Sequence, residues 1–203
     1  MMQQAGGMDT TAMMQRIRRL VMLDTTVFDE VKSDAASTVP AGIIAVVSTL
    51  LFGLGGWLWY QFQDYNYKGG QFFIYSAILG TIVSLILLGI GIAVIYVMLT
   101  QVFRARADIN ELIRVMGFAT APLAIGILLF VPGFDLGIGV LAVGTFFGAS
   151  FIAVQSVTDA PSGKALVATA AGLAVWALVL SLLVQGDEPW KTMAPNFFVF
   201  APR

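Results

Sequence analysis

Residues 39–62 read VPAGIIAVVSTLLFGLGGWLWYQF, a run without one charged side chain. That is longer than the roughly 20 apolar residues a helix needs to cross a bilayer. Pro40 stands where the first helical turn begins, and Trp57, Trp59 and Tyr60 fall at interfacial depth. The stretch predicts a transmembrane helix.

Working outward, the same reading recurs. Residues 71–103 form a second uncharged run, long enough that it must tilt or extend into water. Met116 to Val131 is a third apolar run around Pro122, and its 16 residues fall just short of the usual span of about 17–25. Pro132-Gly133 predicts a turn, Leu136 to Thr158 a fourth span, and Ala165 to Val184 a fifth. Arg104 to Arg114 alternates charged and apolar residues and reads as a connector, with Arg104, Arg106 and Arg114 exposed and Ile109, Leu112 and Ile113 on the membrane surface. The expected architecture is an all-α integral membrane protein, a five-transmembrane-helix bundle with N-terminal amphipathic helices. Its parts are a cytoplasmic amphipathic segment (1–38), the five-span domain (39–184) and an external C-terminal tail (185–203).

Composition agrees. Of 203 residues, 58% are hydrophobic and 11% charged, against about half and about a quarter in a soluble domain. A net charge of −1 offers no basic face for nucleic acid. The chain has no cysteine and no histidine. Thiolate chemistry, the usual zinc and haem ligands and an imidazole base are therefore excluded, and no cofactor or metal site is expected. Met1 to Leu23 does not read as a signal peptide, because arginines interrupt its apolar residues.

In the N-terminal segment Met13, Ile17, Leu20 and Val21 share one helical face, while Arg16, Arg18 and Arg19 lie off it and are expected to hold the helix on membrane lipid. Asp24 interrupts the stripe, so a break is expected there, with Asp24 or Thr25 capping a second short helix carrying Val27, Phe28 and Val31. With this end in the cytoplasm, Arg16, Arg18, Arg19, Lys32, Arg104, Arg106, Arg114 and Lys164 are inside, and only Lys68, Lys191 and Arg203 outside. That asymmetry places the protein in the cytoplasmic (inner) membrane with its N-terminus cytoplasmic and its C-terminus external.

No ionisable residue falls in the five predicted runs, which argues against proton- or ion-coupled transport. Gln155 is expected to make a capping or interhelical hydrogen bond. Gly137, Gly144 and Gly148 share one face of the fourth helix and predict a close helix approach. The approaching helix is either in this chain or in a second copy; the commonness of the motif in bundles favours the first. Gly89 with Gly91, and Ala168 with Gly172, permit similar contacts. Gly53, Gly55 and Gly56 are packing or kink positions, since no phosphate-binding Lys-Ser or Lys-Thr follows them. Asp29-Glu30 and Asp187-Glu188 read as solvated charge. In the tail, Phe197, Phe198, Val199 and Phe200 form an apolar cluster expected to dock onto a partner, the alternatives being an anchor in the headgroup layer beside Trp190 or a disordered terminus.

The third span carries a recognisable order of residues: Arg114-Val-Met-Gly117-Phe118-Ala-Thr-Ala-Pro122. It resembles the arginine, glycine-aromatic pair and later proline of Yip-domain (Ypt/Rab-interacting) membrane proteins, in their prokaryotic form. Phe28 to Ala36 before the first span, and Ile152 to Ala165 before the last, agree with it, so the resemblance runs from Leu23 to Val184. It implies a five-helix bundle, a cytoplasmic N-terminus and no catalytic activity. Family members that act in vesicle trafficking bind small GTPases; the acidic-aromatic motif linked with that is not evident here, so the resemblance carries no GTPase partner over. Two functions fit the residues: a scaffold or accessory subunit packing on other integral membrane proteins, or a passive carrier or channel for a small neutral or lipidic solute. No reactive constellation for an enzyme can be assembled.

Overall fold

The computed structural model describes residues 10–22, 24–62 and 73–183. Two short helices, α1 (Thr10–Val21) and α2 (Val27–Ser33), lead through a 3-10 turn at Ala35–Ser37 into α3 (Thr38–Phe62). The next span, α4 (Ile74–Val102), is regular over Gly80–Val97 and π-helical at both ends. Helix α5 (Ile109–Ala119) continues as a 3-10 segment over Ala121–Phe130; α6 (Asp135–Ser156) and α7 (Ser162–Leu183) complete the bundle. No strand occurs among the described residues. Five helices are long and apolar enough to cross a membrane, the number expected from sequence.

The third span differs from its expected form. It starts at Ile109 rather than Met116 and reaches Phe130, because Asp108 caps the helix by accepting the N–H groups of Asn110 and Glu111 at 2.8 and 3.1 Å. Pro122 has no N–H and cannot continue an α-helix. From Ala121 the chain tightens into 3-10 geometry, whose rise of about 2.0 Å per residue exceeds the α-helix's 1.5 Å. The tightened half therefore covers more depth per residue, and the short apolar run is long enough to cross. Residues expected on the surface are drawn inward with it: Leu112 is fully buried and Arg114 is half-buried inside the span.

The Pro132-Gly133 turn is as expected. Gly133 takes φ +80°, and the Phe134 N–H reaches the Val131 carbonyl at 3.2 Å.

Lipid is as apolar as leucine, so close packing rather than hydrophobicity holds such helices together. The two most extensive pairings are α3 with the 3-10 segment and α4 with α7. Glycine makes both possible. A Cβ on Gly55 would collide with the Gly126 carbonyl, and one on Gly91 would stand 2.9 Å from the Gly172 oxygen. Gly117 similarly lies against Ala41, and Gly53 against the Ser76 carbonyl. Phe52, Phe118, Phe146 and Trp176 fill the space between the spans. Ile82, Ile86, Leu136, Val140 and Leu178 face outward, where the membrane is.

Candidate functional site

Polar chemistry concentrates where α1 and α2 lie across one end of the bundle. The break expected at Asp24 is present: its carboxylate accepts the Thr26 N–H at 3.1 Å and the Thr26 hydroxyl at 2.6 Å, turning the chain into α2. Val27, Phe28 and Val31 then bury completely against α5 and α6. Helix α2 is thus docked on protein.

Two arginines expected at the lipid surface are spent on this docking. Arg16 donates from Nη1 to Asp34 Oδ2 at 3.0 Å and to the buried Ser37 hydroxyl at 2.6 Å. Arg19 bridges Asp24 (2.8 Å) and Glu30 (2.6 Å) and donates to Thr26. Arg18 alone of the three is exposed and without an ion pair among the described residues. Across residues 10–34, Arg16, Arg18, Arg19 and Lys32 are balanced by Asp24, Asp29, Glu30 and Asp34, so the cap carries no net charge. The hydroxyl of Ser37, followed by Arg16, holds the Asp34 carboxyl below the usual carboxylate range. Thr26, followed by Arg19, does the same for Asp24.

The cap is fastened to the spans through Lys32. Its ammonium donates to Asp29 (2.6 Å) and to the Ser156 carbonyl at the end of α6 (2.7 Å). Its own carbonyl, at the negative end of the α2 dipole, accepts from Arg114 Nη1. On the same end, the Arg106 N–H bonds Asp159 at 2.7 Å and the Lys164 ammonium sits 5.8 Å from the Phe103 ring centre. Gln155 donates to the Ser162 hydroxyl across the last connector, the interhelical bond expected of it.

Between this cap and the bundle lies a groove of about 370 Å³. Leu20, Asp24, Thr25 and Phe28 line it on the cap side, Phe118 on α5, Pro122 on the 3-10 segment, and Gly144, Gly148 and Ile152 on α6. Of the two partners left open for the glycine stripe, the favoured one, a helix of this chain, is not met among the described residues. Among the described residues nothing lies within 4 Å of where a Cβ would stand on Gly137, Gly144 or Gly148, so no described helix packs there. The period of seven and four marks a shared face but does not say what meets it. Gly91 and Gly172, expected to permit a contact, do meet. Phe197, Phe198 and Phe200 lie outside the described residues, as do Lys68 and Trp190.

The sequence reading did not anticipate Asp34, Ser37 or Arg114 in these roles. Asp34-x-x-Ser37 carried a signal, since an aspartate two residues before the N–H it caps is a common turn. The Lys32 to Arg114 link carried none.

Among the described residues, seven helices, five of them long and apolar enough to span, with a charge-balanced N-terminal cap bonded onto the connectors, define a polytopic α-helical membrane bundle. The Yip1 domain family model matches residues 21–184, and the chain belongs to that family. No curated protein and no solved structure matches it.

Proposed function

We propose that the protein is a non-catalytic scaffold or accessory subunit of a larger assembly in the cytoplasmic membrane, its N-terminus cytoplasmic and its C-terminus external. The observation that supports this reading is how the interior is used. Where a solute path would run, Phe52, Phe118, Phe146 and Trp176 fill the space. Two interior hydroxyl contacts join neighbouring spans: Ser48 lies 3.0 Å from the Thr120 hydroxyl, and Ser76 donates to the Gly53 carbonyl at 2.8 Å, while Thr49, Thr81 and Thr169 donate within their own helices and Ser84 and Ser150 have no partner among the described residues. Such bonds between neighbouring spans set their register. A carrier needs a polar or adjustable passage, and an enzyme needs a nucleophile with a base beside it.

Affinity purification from native membranes in mild detergent tests the reading. A stoichiometric membrane partner is expected, and deleting residues 194–203, with Phe197, Phe198 and Phe200, should reduce its recovery. A chain that migrates alone, and that raises the glycerol or urea permeability of liposomes above empty controls, favours the passive carrier instead.

A further inference from the structure

We propose that α1 is a strap with two partners: it docks on the bundle through its arginines where the surrounding lipid is zwitterionic, and passes into the headgroup layer where that lipid is anionic. The way α1 is held is the first argument. None of its residues from Thr11 to Leu20 is buried, and Met13, Ile17 and Leu20 are only partly covered by the core. Helix α2, by contrast, buries Val27, Phe28 and Val31. Fixing α1 in place are side-chain bonds from Arg16 to Asp34 and Ser37, and from Arg19 to Asp24, Thr26 and Glu30. The side chains of Asp34, Asp24 and Glu30 are 35%, 36% and 44% exposed. Pairs so open to water are weak, because solvent and salt screen them.

The contact also separates cleanly. Without Arg19, Asp24 still accepts the Thr26 N–H and hydroxyl. Without Arg16, Asp34 still accepts the Ser37 hydroxyl at 2.7 Å and the Ala36 N–H at 3.1 Å. The turn into α2 and the start of α3 therefore persist when α1 leaves, and the buried Ser37 hydroxyl keeps its acceptor. A buried polar group left without a partner is what makes most such separations costly, and here the arginines leave none behind.

Charge complementarity names the second partner. Arg18 is exposed and has no ion pair among the described residues, so docking uses two of the three arginines. On an anionic surface all three meet phosphates. Met13, Ile17 and Leu20 then exchange the bundle for the acyl boundary, the arrangement of an interfacial amphipathic helix. A zwitterionic surface has no net charge to offer, which leaves Asp24, Glu30 and Asp34 as the better partners. Leu20 lines the groove facing α6, so the departure of α1 widens that groove on the cap side.

The test uses the full chain, which has no cysteine of its own. Spin labels are placed at Met14→Cys on α1 and Asn110→Cys on α5, both exposed positions. The distance between them is read by double electron–electron resonance in nanodiscs of phosphatidylcholine or of phosphatidylglycerol. Phosphatidylcholine is expected to give one docked distance, and phosphatidylglycerol to add a second, longer one. Arg18→Gln should cut the ratio of released to docked chains in phosphatidylglycerol about fivefold, the factor that ~1 kcal/mol per cation near anionic lipid represents, and leave the phosphatidylcholine distance unmoved. Glu30→Gln removes an acceptor of docked Arg19 and should raise that ratio. Identical distributions in the two lipids overturn the strap. A shift in phosphatidylglycerol that ignores both substitutions overturns the exchange of charged partners, and release in phosphatidylcholine as well overturns the docked state.

Discussion

Arg16 and Asp34 meet at 3.0 Å across a gap of eighteen residues, and the carboxylate they share with Ser37 also accepts the Ala36 N–H that opens the first span. One side chain thus couples the angle of α1 to the start of α3. Asp34→Ala removes a capping acceptor and an ion pair together, a loss of about 1–2 kcal/mol. Protease cleavage within α1 should accelerate in Asp34→Ala and Arg16→Gln, whereas Arg18→Gln should leave it unchanged. Equal protection in all three would contradict the arrangement.

The same contact gives a pH response. Because folding depresses the Asp34 and Asp24 carboxyls, their contribution is present above the unfolded carboxylate value and disappears as pH falls through the lower folded one. Protection of α1 should therefore be constant from neutrality down to about pH 4 and decline below it. Asp34→Asn should remove its own part of that decline and leave the part due to Asp24. A midpoint near neutrality would point to other groups.

Glycine positions separate into two classes with opposite expectations. Gly55→Leu and Gly172→Leu force side chains into a facing backbone, at about 1–3 kcal/mol or more, since a carbonyl cannot step aside as a side-chain tip can. Gly137→Leu and Gly144→Leu place theirs in open space. Thermal unfolding in detergent should show large losses for the first pair and little change for the second. Comparable losses at Gly137 would mean that another chain covers that face.

The five spans were legible because lipid imposes length and the absence of charge, and both are local properties of a sequence. What met what was less so. The stripe of Gly137, Gly144 and Gly148 shares one face as its period requires, yet the contacts form at Gly55 and Gly126, where no comparable period exists. Pairing depends on which helix happens to lie opposite, and that is set by the whole bundle. The cap illustrates the same limit: α2 and its apolar face were readable, but three arginines off a stripe look alike until Asp24, Glu30 and Asp34 claim two of them. The third span was misjudged because an apolar count cannot register that Asp108 starts the helix early or that Pro122 stretches its second half.

Arg104 ends α4 in the left-handed region, with φ +53°, a place where glycine usually stands. The conformation costs roughly 1–2 kcal/mol for a residue with a Cβ. The neighbouring Ala105 N–H is satisfied by the Leu99 carbonyl at 2.9 Å, so the geometry is held by the backbone and not by the exposed arginine side chain. Arg104→Gly should raise the unfolding midpoint or leave it unmoved, and Arg104→Val should lower it. A destabilised glycine variant would show that the side chain itself has a partner.

Orientation follows from which end carries the charge. The links from Lys32 to Ser156, from Arg114 to Lys32 and from Arg106 to Asp159 put the cap and the 103–108 and 157–161 connectors at one end of the bundle. Arg16, Arg18, Arg19, Lys32, Arg104, Arg106, Arg114 and Lys164 gather there. The opposite end is marked by Trp59, whose indole N–H reaches Asp135 at 3.2 Å beside the Pro132-Gly133 turn. Short connectors rich in Lys and Arg are retained in the cytoplasm, while Asp and Glu contribute little to the choice. Reporter enzymes fused at Ala107 or Ala160 should therefore register as cytoplasmic, and fusions at Gly133 or Arg203 as external. Each pair brackets one or more crossings, so a single inverted site identifies the span that fails to cross. If Gly133 and Ala107 report the same side, the α-to-3-10 span does not traverse. If all four sites invert together, the bundle stands but the charge argument for its direction is wrong.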